Sequence, residues 1–458
     1  MQGRHLRRRH IALPQWLLAP ALAVALCLTL SALARGAGLT PVKGLLAPAS
    51  AIQPLPSNEA EIDAAIRFYA ERVKRDPGDF SAQNRLADYH LQRLRDSNNA
   101  ADLEAATRAA RASLATVPVE RNVSGLVALA QAMQFAHDFG AAREHGRRLV
   151  QLLPNKSFSY AILGDALLEL GEYDRADAAF RTMERYGGAS VDSRTRQARL
   201  AFLRGKTQLA LHHYASGIDA ALQLSPPPRQ PVAWCHWQMG DVAFSTGDYA
   251  SAQRHYRDAL TVFPGYYRAL AGMAKALAAQ GDTAGAMESY RRAFERFPDP
   301  AFAAALGDLY HLQGREQDAQ AQYRIVTAIA RLNKANGQLH NRQLALFNAD
   351  HDRAAAEGYV AAAAEYAVRR DIYGADALAW AALKAGKLAQ AQTAIKQAMQ
   401  QGTRDAALYY HAGMIARAAG DKNGSRAYLA RAIGLNPRFD PLQAPLAKRA
   451  LAELSRGE

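Results

Sequence analysis

Cysteine is almost absent from this chain of 458 residues, which contains only two. Two thiols exclude a disulfide framework and a structural zinc site built from cysteines. Aromatic residues make up 8% of the sequence and charged residues 21%, whereas 49% of the residues are hydrophobic. This apolar fraction excludes a wholly disordered chain. The sequence therefore predicts a folded protein, and its length corresponds to roughly two to four domains.

Signatures of catalysis and of metal binding are also missing. The sequence contains no His-Glu-x-x-His zinc motif and no Gly-x-Ser-x-Gly nucleophile motif. Gly205-Lys206-Thr207 resembles the end of a phosphate-binding loop, but Leu200 stands where that loop needs a glycine. Potential metal ligands occur as direct neighbours, which rarely converge on one ion, in Asp350-His351-Asp352, His212-His213 and Cys235-His236. We expect no enzyme, no cofactor and no metal ion.

A long apolar run occurs only near the N-terminus. Residues 1–16 contain four arginines and no acidic residue, and residues 17–34 are uncharged. This arrangement, ending in Ala32-Leu33-Ala34, is typical of a secretory signal peptide that is cleaved after residue 34. The run is also long enough for an uncleaved anchor formed by residues 11–34. Both alternatives predict an exported chain, either periplasmic or anchored in the inner membrane with the remainder outside the cytoplasm. Cleavage would leave Cys235 as the one thiol, which we interpret as a buried, small apolar side chain.

Composition divides the rest of the sequence into further segments. Residues 35–58 are rich in Gly, Pro, Ala and Ser and read as a flexible linker. Three consecutive prolines at 226–228 interrupt the helical pattern and separate a first array, 59–225, from a second, 229–437. Residues 438–458 carry a one-sided amphipathic pattern, typical of a helix that caps an array. The sequence leaves open whether the chain hinges at the prolines.

A unit of 34 residues recurs between the linker and the cap. Pro264 and Pro298 lie 34 residues apart, and each closes a helical segment. Large–small pairs such as Met239-Gly240 and Met273-Ala274 occur at equal distances before these prolines. A glycine near the middle of each unit falls at the same offset in most units, namely Gly171, Gly205, Gly247, Gly281, Gly314, Gly386 and Gly420.

These residues resemble the tetratricopeptide repeat over about 59–437. The resemblance implies an all-α fold, an α-solenoid wound as a right-handed superhelix of about ten helix pairs. The pairs are expected to begin near 79, 119, 155, 189, 231, 265, 300, 336, 372 and 404, after a lone helix at about 58–75. Two units depart from the pattern, because the turn after residue 95 is longer and Asp350-His351-Asp352 stands where glycine is usual.

The resemblance also implies roles for individual positions. The mid-unit glycines should adopt a positive φ in the turn between the two helices of a pair. Gly164, Gly240 and Gly307 should let those helices approach closely. Tyr256, Tyr290 and Tyr323 should fill the gap to the following unit.

The first helix of each pair is expected to line a concave face. Aromatic and arginine side chains are favoured at binding hot spots, so this face is the predicted partner site. Three of the four tryptophans fall on it, although packing of these tryptophans within helix pairs is an alternative. The predicted residues are Trp234, Trp237, Asp241, Phe244, Arg268, Lys275, Asp308, His311, Tyr373, Asp376, Trp380, Tyr410 and Arg417.

These features favour a non-catalytic scaffold or adaptor that binds proteins or peptides in the cell envelope. A glycan-binding or accessory module in polysaccharide handling is the alternative, because tryptophan and tyrosine also stack on sugars. The net charge of +14 fits an anionic glycan or lipid surface as a further contact. A nucleic-acid-binding solenoid is a weaker alternative, and we expect no nucleic acid because the basic residues form no stripe. The partner's identity and the oligomeric state are not encoded in any recognisable pattern.

Overall fold

The computed structural model describes residues 55, 57–97, 99–335 and 342–456. The predicted signal segment 1–34 and nearly all of the predicted linker 35–58 lie outside the described residues. Residues 53–458 belong to one compact unit. None of the helices in the described ranges combines the length and the apolar character needed to cross a membrane.

Every regular element in these ranges is an α-helix, and there are twenty-two of them. In chain order they are α1 (Glu59–Arg75), α2 (Phe80–Ser97), α3 (Ala100–Thr116), α4 (Val123–Phe135), α5 (Phe139–Leu152), α6 (Ser157–Glu169), α7 (Tyr173–Gly187), α8 (Val191–Leu203), α9 (Thr207–Leu222), α10 (Arg229–Ser245), α11 (Tyr249–Val262), α12 (Tyr267–Gln280), α13 (Thr283–Arg296), α14 (Pro300–Leu312), α15 (Glu316–Ala335), α16 (Arg342–Asp350), α17 (Ala355–Val368), α18 (Ile372–Lys384), α19 (Leu388–Ala398), α20 (Ala406–Ala418), α21 (Lys422–Leu435) and α22 (Gln443–Arg456).

The helices from α2 to α21 pack as ten consecutive pairs, numbered here pair 1 to pair 10. Helix α1 precedes them, and α22 packs on α21 at the C-terminal end. The number of pairs, their starting points and the α-solenoid architecture are therefore as the repeat pattern predicts. Several second helices begin at a capping aspartate, whose side chain accepts a hydrogen bond from a backbone N–H of the first turn, as Asp248 and Asp282 do.

The turn between paired helices needs a left-handed residue, and the sequence supplies it as predicted. All seven mid-unit glycines have a positive φ, between 69° and 94°. Pairs 2 and 8 lack a glycine there, and His137 and Asp352 take positive φ values instead. Local hydrogen bonding by such polar residues is one reason they tolerate this conformation better than most.

Small residues bring the paired helices close together, also as predicted. A Cβ atom on Gly240 would lie 2.4 Å from the ring of Tyr256 on the partner helix. The same ring would contact a Cβ on Gly272, in the next pair, at 2.4 Å. Tyr256 is completely buried, so it fills the gap between two consecutive pairs. Gly307 and Tyr323 repeat the first of these contacts.

The array coils back on itself, so that residues nearly 200 apart in sequence touch. The loops after α17, α19 and α21 pack against the turns within pairs 3, 4 and 5, and we call these contacts the seam. The backbone N–H of Ile372 donates to the hydroxyl of Tyr173 at 2.8 Å. The hydroxyl of Thr403 donates to the carbonyl of Leu203. The Asn436 amide donates to the carbonyl of Phe244 at 2.7 Å.

Charged side chains strengthen the seam around Glu169. Its carboxylate is bound by Arg199 from pair 4 at 2.5 Å and by Arg369, from the loop after α17, at 2.6 Å. Burial alone would raise the pKa of Glu169, but the charges of the two guanidinium groups outweigh it and lower the pKa to about 2. The two halves of the array, before and after the prolines, are thus joined by packed contacts as well as by the chain.

The proline joint is itself covered by the start of the array. Arg229, the first residue of α10, pairs with Glu59 of α1 at 3.0 Å. The backbone N–H of Leu55 donates to the carbonyl of Val262 at 3.1 Å. A depression of about 350 Å³ remains between the prolines and helices α1 and α2.

Candidate functional site

The first helices of pairs 5 to 8 surround a cavity of about 790 Å³, which we call the interior cavity. The remaining side of the cavity is closed by residues 437–448, which we call the C-terminal segment. The volume falls within the range of pockets that hold small ligands or single side chains of a partner. The predicted residues that line it are Trp237, Asp241, Phe244, Arg268, Lys275 and Asp308.

One wall of the cavity combines aromatic surface with positive charge. The guanidinium of Arg268 lies 5.2 Å from the ring centroid of Trp237 and 5.0 Å from that of Tyr267. Lys275 is exposed, and among the described residues no carboxylate oxygen lies within 4.0 Å of its ammonium group. This wall can therefore hold an apolar side chain beside an anionic group.

Asp241 and Asp308 occupy the same position in their repeats, directly after the small residue of the first helix. The hydroxyl of Tyr256 donates to Asp241 at 2.7 Å, and that of Tyr323 donates to Asp308 at 2.8 Å. Burial raises the pKa of Asp241, and the positive charge of nearby Lys275 opposes this rise. Each of these inward-facing carboxylates thus accepts a hydrogen bond from the tyrosine on the second helix of its own pair.

The opposite end of the cavity carries an acidic and histidine cluster. His351 Nδ1 lies 2.7 Å from the carbonyl oxygen of Phe347, and Nε2 lies 2.7 Å from a carboxylate oxygen of Asp308. Both oxygens are acceptors, so the geometry fits an imidazolium that donates twice. Burial would lower the pKa of His351, but the bond to Asp308 raises it. Asp350 accepts from Trp380 Nε1 at 2.8 Å.

Asp440 of the C-terminal segment adds a third carboxylate to this end. Burial, and then the negative charge of Asp350, raise the pKa of Asp440 to about 7. Backbone N–H groups of Leu442 and Gln443 donate to it at 2.8 and 2.7 Å and oppose the rise. Near neutral pH this carboxyl group therefore changes charge while it faces the cavity.

A second cavity of about 370 Å³ lies beside the seam. Asp241, Phe244 and Lys275 line it as well, together with the predicted residue Tyr373. The Tyr373 hydroxyl donates to Asp405 at 3.2 Å. The second half of the predicted concave face therefore meets the first half here rather than continuing as an open groove.

Three predicted site residues are buried in the core of pairs 9 and 10. Trp380 and Tyr410 are each 1% exposed and pack against each other, with ring centroids 5.5 Å apart. Asp376 is 5% exposed and pairs with His411 at 2.9 Å. Burial keeps these side chains from contact with a partner, and the C-terminal segment covers Tyr410, whose ring centroid lies 5.5 Å from that of Phe439. The Tyr410 hydroxyl donates to Gln443 of that segment at 2.7 Å.

The remaining predicted residues lie away from the interior cavity. Trp234 packs edge-on against Tyr214 and Trp237, within and between pairs 4 and 5. His311 is exposed and pairs with Glu316 across the turn of pair 7. Arg417 pairs with Glu453 of the capping helix. Cys235 is completely buried, as predicted, and burial raises the pKa of its thiol to about 12.

The C-terminal segment is the part of the site that sequence reasoning missed. It was predicted only as a cap, 438–458, whereas helix α22 begins at Gln443 and the residues before it enter the cavity. Arg438 donates to the carbonyl of Ala279 at 2.6 Å, which fixes the segment across α12. The clustered Pro437, Pro441 and Pro445 are a sequence signal for an extended stretch, but not for its location.

Comparison with known families identifies the repeat. Models of the tetratricopeptide repeat match residues 243–309, 377–440 and 159–182. The chain contains tetratricopeptide repeats. The matches fall in both halves of the array, and the longest one covers much of the wall of the interior cavity. No curated protein matches the chain in sequence.

Solved structures of helical-repeat proteins are similar to this repeat array over part or most of its length. Two structures of MamA share 18% and 17% identity, cover 37% and 39% of this chain and 94% and 93% of theirs, with TM-scores of 0.30. The hetero-tetramer Cut9–Hcn1 of the APC/C shares 15% identity over 86% of this chain and 74% of its own, with a TM-score of 0.39.

Proposed function

We propose that this tetratricopeptide-repeat protein is a non-catalytic adaptor that holds a protein partner through the interior cavity. Tetratricopeptide repeats generally mediate protein–protein interactions, and the helices carry no recognisable catalytic constellation among the described residues. The observation that carries the proposal is the wall of Trp237, Arg268 and Lys275, which faces a cavity of about 790 Å³. Large aromatic and arginine side chains at a concave site are typical anchors for a partner.

The chemistry of the wall indicates what the partner presents. An apolar side chain would pack on Trp237 and Phe244, and a carboxylate beside it would meet the ammonium of Lys275. The acidic end at Asp350 and Asp440 would repel a second carboxylate and so set the direction of the bound segment. A short extended stretch of the partner fits this volume better than a helix, whose diameter with side chains is about 10–12 Å.

Site-specific photo-crosslinking in intact cells tests this proposal. A crosslinking residue at Phe244, in the cavity, is compared with one at Val360, which is 65% exposed on α17. We expect a defined protein partner from the first position alone, and we expect Lys275→Glu to abolish it. The same products from both positions, or a product that survives Lys275→Glu, would contradict the proposal.

We further propose that the protein acts outside the cytoplasm, in the cell envelope. The support is the basic and apolar pattern of residues 1–34. Mass spectrometry of the N-terminal peptide of the mature protein distinguishes cleavage after Ala34 from an intact anchor. A glycan ligand is the rival to a protein partner. In that case Trp237→Ala would abolish retardation in polysaccharide gels, and crosslinking would recover no protein partner.

A further inference from the structure

Three side chains of metal-ligand type meet between α10 and α11, outside the interior cavity. They are His236, His255 and Asp258, and their ligand atoms all lie within 4.8 Å of one another. His236 Nδ1 is 4.0 Å from a carboxylate oxygen of Asp258, and the two imidazole centroids are 6.4 Å apart. The group lies within pair 5, the first pair after the prolines.

Helix geometry explains why these residues converge. His255 and Asp258 are three residues apart on α11 and therefore share one face of that helix. His236 approaches them from α10, the antiparallel partner. Trp237 follows His236 directly and faces the interior cavity, and consecutive residues on a helix point about 100° apart. None of the three ligand residues is among those that line the interior cavity.

The two histidines have ring nitrogens without partners in the described structure. Nδ1 of His236 and Nδ1 of His255 are both buried, and neither makes a hydrogen bond. A buried polar atom that lacks a partner destabilises the fold, so such atoms are rare and call for an explanation. Two such atoms, on rings whose centroids lie 6.4 Å apart and beside a carboxylate, point to a ligand that accepts lone pairs.

Burial also acts on the protonation of these three groups. Burial, followed by the charge of His255, lowers the pKa of His236 to about 4, and burial lowers that of His255. Neutral imidazoles with free lone pairs are metal ligands at neutral pH. Burial raises the pKa of Asp258, and the charges of Arg257 and Arg254 only partly oppose this rise.

We infer that His236, His255 and Asp258 bind a divalent transition-metal ion, best matched by Zn²⁺. Imidazole and carboxylate ligands suit zinc, whereas Ca²⁺ and Mg²⁺ prefer oxygen ligands alone. Tetrahedral bonds of the usual length place ligand atoms about 3.3 Å apart, so the three side chains need to approach one another by up to about 1.5 Å. The Asp258 side chain is 33% exposed, which gives the ion an entry path and leaves a fourth position for water.

Such an ion would clamp the two helices of pair 5 together. This is a structural role, separate from the proposed partner site, because none of the three ligands lines the cavity. Metal bound only by the folded state raises the temperature of unfolding, and the stabilisation grows with the logarithm of the metal concentration divided by its dissociation constant. The effect is expected to be absent from any variant that loses one of the three ligands.

Zinc titration of the full-length chain, purified without a histidine tag and treated with chelator, tests the inference. Competition with a chromophoric chelator should show one Zn²⁺ per chain. Thermal unfolding of the zinc-loaded chain should show a higher midpoint than that of the metal-free chain. His255→Gln and Asp258→Asn should each weaken binding at least tenfold and remove the thermal shift. His311→Gln is the matched control, since it removes an exposed histidine paired with Glu316, and it should bind as the parent does.

The variants also provide the results that would overturn the inference. Binding that is equally strong in His255→Gln and Asp258→Asn would show that zinc is held adventitiously elsewhere. Stoichiometric binding by none of the proteins would exclude the site. Thermal midpoints measured in excess chelator show whether a variant folds; Co²⁺ absorption in the visible region then reports tetrahedral coordination of the parent directly.

Discussion

In pairs 3 and 4, the charged residues of the first helices are paired with one another, whereas in pairs 5 to 7 the equivalent positions face a cavity. Arg196 binds Asp165 with two hydrogen bonds of 2.8 and 2.7 Å, and Arg199 binds Glu169. Arg268 instead lies over aromatic rings, and Lys275 is exposed. Arg199 and Lys275 occupy the same repeat position, which forms an ion pair in the first half of the array and faces a cavity in the second.

The largest loss of stability is expected at Trp380, in the part of the predicted concave face that is buried. Trp380→Ala removes a side chain that is 1% exposed, and it should lower the free energy of unfolding by about 4 kcal/mol. Trp237→Ala, at the half-buried cavity wall, should lower the free energy of unfolding by only about 1 kcal/mol. Urea unfolding of the two variants measures the contrast, and equal losses would show that Trp237 is also a core residue.

A substitution that disrupts the seam should lower the free energy of unfolding by nearly as much. Gly205 has a φ of 69°, and a Cβ atom there would lie 2.3 Å from the carbonyl oxygen of Gly402. Gly205→Ala should therefore lower the free energy of unfolding by about 3 kcal/mol, through backbone strain and through displacement of the facing loop.

Gly314→Ala is the control for that substitution. Gly314 has a similar φ of 72°, but no atom lies within 4 Å of the added Cβ. Gly314→Ala should lower the free energy of unfolding by only about 1–2 kcal/mol, because alanine is strained in the left-handed conformation. If the two alanine variants unfold at the same urea concentration, the halves of the array do not press together at Gly205.

Removing one charge from each half sharpens the comparison directly. Glu169→Gln leaves Arg199 and Arg369 without their carboxylate and should cost about 2 kcal/mol at pH 7, discounted because Arg199 is partly exposed. Because the pKa of Glu169 is lowered to about 2, this contribution is present above about pH 4.5 and is lost as the pH falls towards 2.

Lys275→Gln is the counterpart in the second half. It should change the free energy of unfolding by less than about 0.5 kcal/mol, since Lys275 is exposed. It should nevertheless weaken partner crosslinking from Phe244. A stability loss equal to that of Glu169→Gln would mean that both halves use their charges for cohesion.

The last prediction concerns the C-terminal segment and depends on pH. The pKa of Asp440 is raised to about 7, so the folded state binds the proton more tightly and stability falls as the pH rises from about 4 to 7. Asp440→Asn imitates the neutral acid. As the pH rises from 5 to 8, the free energy of unfolding of Asp440→Asn should increase by about 1–2 kcal/mol relative to that of the parent.

Denaturant unfolding at both pH values measures this gain. Comparing variant with parent at each pH cancels the opposite contribution of His236, whose pKa is lowered. A constant difference between variant and parent would show that the carboxyl group of Asp440 is ionised throughout this range.

The architecture was predictable because it rests on local rules. Glycines with positive φ, such as Gly247, and close contacts such as that of Gly240 with Tyr256 recur at fixed spacing, so one repeat indicates all the others. The concave face was predictable in part for the same reason. Trp237, Arg268 and Lys275 line the cavity, but Trp380 and Tyr410 occupy equivalent faces and are buried. Repeat position indicates which way a side chain points, but not what covers it.

The sequence by itself determined the ten helix pairs and where along the chain they begin, because these depend on contacts within a pair and with the next pair. Only the tertiary structure decided that Glu169 meets Arg369, that Phe244 meets Asn436, and that residues 437–448 close the cavity. The first two of these contacts span about 200 residues. They depend on small rotations accumulated over several repeats, and no local pattern of residues specifies their sum.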